Sequence, residues 1–194
     1  MMDKVTKAIE FAAKAHDGME RKKDKTPYIL HPLEAAVIVG SMTDDRDVIS
    51  AAVLHDVVED TPITIEEIEE NFGSRVKVLV ESETEDKRAD LPPEDTWRIR
   101  KEESLQDLAC CGDTDVLMLW LGDKLANMRS FYRIWKAEGD SMWQSFNQKD
   151  PMQQKWYYTT IAELTSSLKE YSAWQEYNEL VKIVFGKVNL YEED

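Results

Sequence analysis

Cysteine is nearly absent from this chain: its only two, Cys110 and Cys111, are neighbours in sequence. With no others to pair with, they exclude a framework of bridges and a four-cysteine zinc site, and both read as ordinary residues of a helix or helix end. Positive charge is scarce as well. The chain sets 24 Lys and Arg against 39 Asp and Glu, a formal net charge of −15, which opposes general attraction to nucleic acid or an anionic membrane. A local basic cluster is still able to hold one anionic ligand. No apolar run approaches the roughly eighteen residues of a membrane span, and the charged, amphipathic N-terminus lacks the apolar stretch of a signal peptide. A cytoplasmic protein is expected. There is little period-two alternation and no internal repeat, so strands have little support and the expected fold is all-α.

The 194 residues, 42% of them hydrophobic, suffice for one buried core without requiring two. The expectation is one domain over 1–194, with a motif-bearing part over about 1–138 and C-terminal helices over about 140–186 completing a bundle of eight to ten helices. Apolar residues recur at helical spacing in Val5, Ala8, Ile9, Ala12 and Ala13, in Leu33, Ala36, Val37 and Gly40, and in Val48, Ala51, Ala52 and His55. Pro32 suits the first turn of the second of these helices. Thr64 with Glu67 forms a capping box for a short helix that stops at Gly73, and a further helix follows from Ser74 to about Ser82. The stretch 83–95 has no apolar period and ends in a proline pair, so it predicts an exposed loop. Beyond it, 96–109 is amphipathic, Asp113 caps a long helix over about 114–138 closed by Gly139, Asp150 and Pro151 start another, and 173–185 supplies the last.

The chemistry concentrates in Ala52-Val-Leu-His-Asp-Val-Val-Glu-Asp-Thr61, where four ionisable side chains interrupt an apolar pattern. If the run is helical, His55 and Glu59 lie one turn apart, as do Asp56 and Asp60. His55 and Asp56 suit a divalent metal. His31, between Leu30 and Pro32, is a candidate third ligand. Asp123 is a candidate fourth, because it sits among apolar neighbours in the long helix and a buried carboxylate needs a cationic partner. Glu59 and Asp60 would border the metal's open positions, where a carboxylate can take a proton from water. His16, at the end of the first apolar stripe, reads as a core or hydrogen-bonded residue. Arg21, Lys22, Lys23 and Lys25 put four cations within five positions, a patch suited to phosphate groups.

Together, Ala12-Ala-Lys-Ala-His16, Arg21-Lys22 with Pro27-Tyr-Ile-Leu-His-Pro32, Leu54-His-Asp-Val-Val-Glu-Asp-Thr61, Phe72-Gly73 and Gly122-Asp-Lys-Leu-Ala-Asn-Met-Arg129 resemble the hydrolase domain of the RelA/SpoT family, within the HD-domain phosphohydrolases. The likeness is greatest to small stand-alone members such as the metazoan SpoT homologue, and it runs from the N-terminus to about residue 135. It implies an all-α, Mn²⁺-dependent hydrolase that removes the 3′-pyrophosphate of (p)ppGpp, the alarmone of the stringent response, to give GDP or GTP and pyrophosphate. It assigns metal ligation to His31, His55, Asp56 and Asp123, and water activation to Glu59 and Asp60. It assigns guanine and phosphate contacts to the region of Arg21 and Lys22, with Lys23 beside them, and nucleotide contacts to Asn127 and Ser130. The implied partner is a small guanine nucleotide, with no nucleic acid or membrane and with self-association left open.

The chain departs from the family pattern at Trp120, where Lys is common, and at Gly122, where Ala is usual. The usual Gln of the first block is replaced in Gly18-Met19-Glu20. The aromatic-rich stretch of Trp143, Phe146, Trp156, Tyr157, Tyr158 and Trp174 lies beyond the likeness and reads as core. Alternatives that share the metal chemistry are a phosphatase or pyrophosphohydrolase acting on another nucleotide such as NADPH, and a non-catalytic nucleotide sensor. A helical scaffolding protein is disfavoured, because it would leave Asp123 without a partner.

Overall fold

Local signals in the chain set most helix starts. The computed structural model describes residues 2–21, 25–88 and 90–186, and among them are ten α-helices, two short 3-10 segments and one isolated bridge, Glu20 to Pro27. The Asp3 side chain accepts from the amides of Val5 and Thr6 and starts α1 (Lys4–Ala15), whose Ala8 and Ala12 are buried. After the turn that contains Tyr28 come α2 (Leu30–Gly40) and then α3 (Arg46–Leu54), capped by Asp45. The short α4 (Val57–Asp60) precedes α5 (Ile65–Phe72), which opens on the expected Thr64–Glu67 capping box. Gly73, at φ +93°, turns the chain directly into α6 (Ser74–Glu81), a backbone conformation that side chains other than glycine rarely adopt.

The second half contains α7 (Pro93–Cys111), α8 (Thr114–Glu138), α9 (Pro151–Leu164) and α10 (Ser172–Phe185), with 3-10 segments at Gly139–Ser145 and Ser166–Leu168. Asp113 and Asp150 cap α8 and α9 as the sequence predicts. Helix α7 starts three residues earlier than expected, because Pro93 occupies its first turn, where a missing amide hydrogen costs nothing. Cys110 and Cys111 are exposed at its end.

Helix α8 is the spine. It packs along α2 on one side and α10 on another, while α3 lies against α1, α2, α6 and α8. Gly122 permits a close approach there: a Cβ would meet Val39 Cγ2 at 2.5 Å and the Ala35 carbonyl oxygen at 3.1 Å. The departure to glycine at 122 thus brings the backbones of α2 and α8 together, one residue before Asp123. Trp120 has a comparable role. Its indole donates to the Ser82 carbonyl at 3.1 Å, tying α8 to the end of α6. Of the C-terminal aromatics expected to be core, Trp143, Tyr157 and Tyr158 are buried, whereas Phe146, Trp156 and Trp174 are half-buried against it; Phe131, Trp143, Phe146, Tyr158 and Phe185 form one group of ring contacts.

One helix across 52–61 is not what forms. Helix α3 ends at Leu54, His55 and Asp56 make a turn, and α4 restarts at Val57. His55 (φ −54°, ψ −39°) and Asp56 (φ −88°, ψ −7°) stay in the right-handed helical region, so the chain continues with little change of direction into α4.

Candidate metal centre and active site

Four side chains from three parts of the chain converge beneath the loop that contains Tyr28. His31 comes from the first turn of α2, His55 and Asp56 from the turn after α3, and Asp123 from the middle of α8. His31 Nε2 lies 3.0 Å from Asp123 Oδ1 and 3.5 Å from Asp56 Oδ2. His55 Nε2 lies 3.2 Å from Asp56 Oδ2 and 3.5 Å from Asp123 Oδ1. His31, His55 and Asp123 are buried, and their ligand atoms all lie within 4.8 Å of one another.

The donor set fits a divalent cation. His55 Nδ1 is 2.9 Å from the Ala52 carbonyl oxygen, which makes Nδ1 the protonated nitrogen and aims the lone pair of Nε2 into the cluster. That buried Nε2 faces only the carboxylates of Asp56 and Asp123. Two imidazole nitrogens and two carboxylate oxygens around one point are a common borderline-metal set. The electrostatics agree, because positive charge is strongly favoured there. Burial works against charge on Asp56, yet the charge and hydrogen bond of His55, followed by the charge of His31, hold its pKa below the usual carboxylate range. Burial opposes Asp123 likewise, and Lys124 and the two imidazoles overcome it.

Around this centre are the two carboxylates of α4. Glu59 is half-buried, and burial, followed by the charge of Asp56, raises its pKa, against the opposing charge of Lys87. Lys87 Nζ is 3.2 Å from Glu59 Oε1 and 2.5 Å from Asp60 Oδ1. The Tyr28 hydroxyl lies 2.8 Å from Asp56 Oδ2 and 2.6 Å from Asp60 Oδ2. It therefore links a candidate ligand to a candidate catalytic residue. The Tyr28 ring packs on His16 at 4.9 Å between centroids, and His16 is buried as expected of a core residue.

Two cavities open here. A small polar one of about 170 Å³ holds His31, His55, Asp56, Asp123 and Asn127 on its walls. A larger one of about 410 Å³ is lined by Arg21, Tyr28, Glu59, Ser130, Phe131 and Phe146. Asn127, one turn after Asp123, donates to Asp123 Oδ1 at 2.8 Å and accepts from Arg21 Nη2 at 3.1 Å. Arg21 thus belongs to the site, whereas Lys22 and Lys23 lie outside the described residues.

The sequence reading did not single out Tyr28, Lys87, Glu83, Glu85, Lys101 or Lys124. The segment 83–95, predicted to be an exposed loop, departs from that expectation at its start. Glu83 is buried, with Oε2 at 3.6 Å from Lys124 Nζ, and burial pushes its pKa up to about 7 despite the charge of Lys124. Glu85 holds Arg100 at 2.8 Å and Lys101 at 2.5 Å. Three acidic residues among the four positions before Lys87 were a signal of charge pairing, but not of where the partners are.

Comparisons with known proteins agree with this geometry. The HD domain family model matches residues 8–152. The chain is 38% identical over 130 residues to a guanosine-3′,5′-bis(diphosphate) 3′-pyrophosphohydrolase of Aquifex aeolicus, covering 67% of this chain and 18% of that protein. It is 42% identical over 133 residues to the Xenopus tropicalis protein of the same name, covering 66% of this chain and 70% of that one. The chain thus spans less than a fifth of the length of the Aquifex protein. Among solved structures, it superposes on one described as a metazoan ortholog of SpoT that hydrolyses ppGpp, with a TM-score of 0.73, 26% identity and 98% of each chain covered. A Listeria monocytogenes structure matches with a TM-score of 0.71 and 33% identity over 81% of this chain and 99% of that one. An all-helical bundle that gathers two histidines and two aspartates at the meeting of α2, α3 and α8, matched by the family model over most of its length, places this chain in the HD-domain family.

Proposed function

We propose that this chain is a divalent-metal-dependent hydrolase, with Mn²⁺ as its ion, that removes the 3′-pyrophosphate of (p)ppGpp to yield GDP or GTP and pyrophosphate. The observation that carries the reading is the convergence of His31, His55, Asp56 and Asp123 beside the Glu59–Asp60 pair, at the floor of a nucleotide-sized cavity. The names of the Aquifex and Xenopus relatives supply the substrate. Residues 1–194 act as one HD-type domain in this reading, with the helices after 140 closing the wall of the larger cavity through Phe146.

His31, His55, Asp56 and Asp123 would hold the ion, which supplies Lewis acidity for charge that develops on a phosphoryl oxygen and on the attacking water. Glu59 takes the water's proton, and its raised pKa brings it closer to the working pH, as an effective general base requires. Asp60, held by Tyr28 and Lys87, keeps that water in line. The water oxygen bonds to the 3′-α-phosphorus, the bond from phosphorus to the 3′-oxygen breaks, and the proton held by Glu59 restores the 3′-hydroxyl. Arg21, with Lys22 and Lys23 beside it, binds guanine and phosphate, while Asn127 and Ser130 contact the nucleotide. The ligand is a small molecule. The net charge of −15 disfavours nucleic acid, and no helix among the described residues is long and apolar enough to cross a membrane.

The test is a turnover screen of ppGpp, pppGpp and NADPH with Mn²⁺ present and after chelation. Release of pyrophosphate from ppGpp only when metal is present is the expected result. An enzyme that leaves ppGpp intact and cleaves NADPH would overturn the substrate assignment.

A further inference from the structure

A third cavity, of about 360 Å³, adjoins the nucleoside-sized one and shares Glu59, Phe146 and Asn147 with it. Glu59 lines all three cavities, so they meet at the candidate base. The walls of this third cleft differ in kind from those of the large one. Its charged lining is Lys87, Arg100 and Lys101 with Glu59, while Asp60 and Glu85, which pair with these cations from behind, are not part of its wall. Glu85, which sits in the wall of the metal-centre cavity, has one charge to share between Arg100 and Lys101. Arg100 donates through Nε to Thr96 at 3.2 Å and through Nη1 to Glu85 at 2.8 Å, which leaves Nη2 for a ligand. The guanidinium is held rigidly by those two contacts, and a fixed fork of donors suits a phosphate.

We propose that this cleft is the subsite for the distal phosphate of the 3′-pyrophosphate group, and for free pyrophosphate after hydrolysis. The proposal rests on the pyrophosphohydrolase reading above. With the α-phosphorus beside Glu59 at the metal centre and the nucleoside in the larger, partly apolar cavity, the phosphate beyond it extends into the cationic cleft. The two reaction products then occupy different arms: the nucleotide in the arm of Arg21 and Phe131, the pyrophosphate in the arm of Arg100 and Lys87.

Inorganic pyrophosphate and GDP are the probes, used as product inhibitors of ppGpp hydrolysis by the metal-loaded protein with free divalent ion held in constant excess. In Arg100→Gln, pyrophosphate inhibition should weaken about tenfold or more, the scale of one charge-assisted contact, while GDP inhibition stays within about twofold. Arg100→Lys, which keeps the charge and the contact to Glu85, should retain part of the pyrophosphate affinity and serves as the folded control. Unchanged pyrophosphate inhibition in Arg100→Gln would overturn the proposal. So would a loss confined to GDP, which would assign the cleft to a 5′-diphosphate. Equilibrium dialysis of pyrophosphate against the same proteins needs no turnover. If ppGpp is not hydrolysed yet pyrophosphate binding depends on Arg100, the substrate reading fails and the subsite stands.

Discussion

Replacing Tyr28 by Phe removes one oxygen from the site and leaves the ring on His16. That oxygen lies within hydrogen-bond distance of both Asp56 Oδ2 and Asp60 Oδ2, at 2.8 and 2.6 Å. A phenol has one proton, so it donates to one carboxylate at a time and keeps the two anionic oxygens apart in either case. Burial, followed by the charges of Asp56 and Asp60, pushes the Tyr28 pKa far up, so the hydroxyl remains a donor throughout the pH range of an assay. A hydrogen bond to a charged group contributes about 1.5–3 kcal/mol, and losing it leaves Asp60 held by Lys87 alone among its side-chain contacts. If that full value is lost in the transition state, kcat falls by about ten- to a hundredfold. KM and metal content should change little, because Tyr28 touches neither imidazole's ligand nitrogen and Asp56 keeps both histidine contacts. The assay is steady-state release of pyrophosphate at saturating Mn²⁺, with metal content by elemental analysis and folding by circular dichroism. A kcat within about twofold of the parent, or an effect confined to KM, would refute the reasoning.

Glu59→Gln should lose turnover and keep its metal, whereas Asp56→Ala should lose both; in the parent, the acid limb of kcat/KM should lie above the ordinary carboxylate range, because Glu59 must be deprotonated and its pKa is raised. Glu83→Gln bears on stability. Its folded pKa of about 7 exceeds the ordinary glutamate value of 4.5, so the folded state binds the extra proton and the carboxylate becomes progressively destabilising as pH rises through that window. The Gln variant should therefore be more stable than the parent at pH 8, by at most about 3 kcal/mol, and close to it near pH 4.5; thermal unfolding at the two pH values decides, and an equal shift at both would count against the assignment. Gly122→Ala should lower the melting temperature, because overpacking against Val39 and the Ala35 carbonyl costs about 1–3 kcal/mol and the gain in helix propensity returns only about 1. Val39→Ala in the same chain should recover part of the loss, and additive effects of the two changes would argue against the contact.

The helices were legible because their signals are local. Asp3 was not singled out, but the Thr64–Glu67 box, Asp113, Asp150 and the glycines at 73 and 139 mark ends through contacts within a few residues, and apolar spacing identifies the buried faces. The break at His55–Asp56 was not legible from spacing. The pattern Val48, Ala51, Ala52, His55 continues a helical stripe, and neither glycine nor proline stands at the break to mark it. The same applies to Gly122 and Trp120: as departures from a pattern they were visible, but their reasons, a backbone approach to Ala35 and a bond to Ser82, lie 87 and 38 positions away.

At the site, the ligand set could be read because each member is anomalous where it stands: a histidine before proline, a His-Asp pair in an apolar run, an aspartate inside a core helix. The second layer could not, since Lys87, Glu83 and Glu85 sit in a segment whose composition is that of a solvated loop. What distinguishes them is the charge they meet on folding. Asp56, Glu59, Asp60, Glu83, Glu85 and Asp123 gather six acidic groups in one region, and Lys87, Arg100, Lys101 and Lys124 are the cations that stand against them. The loop therefore belongs to the electrostatics of the metal centre although it contributes no ligand, and a substitution such as Lys87→Glu should weaken activity by disturbing Glu59 and Asp60 without removing any group that holds the ion.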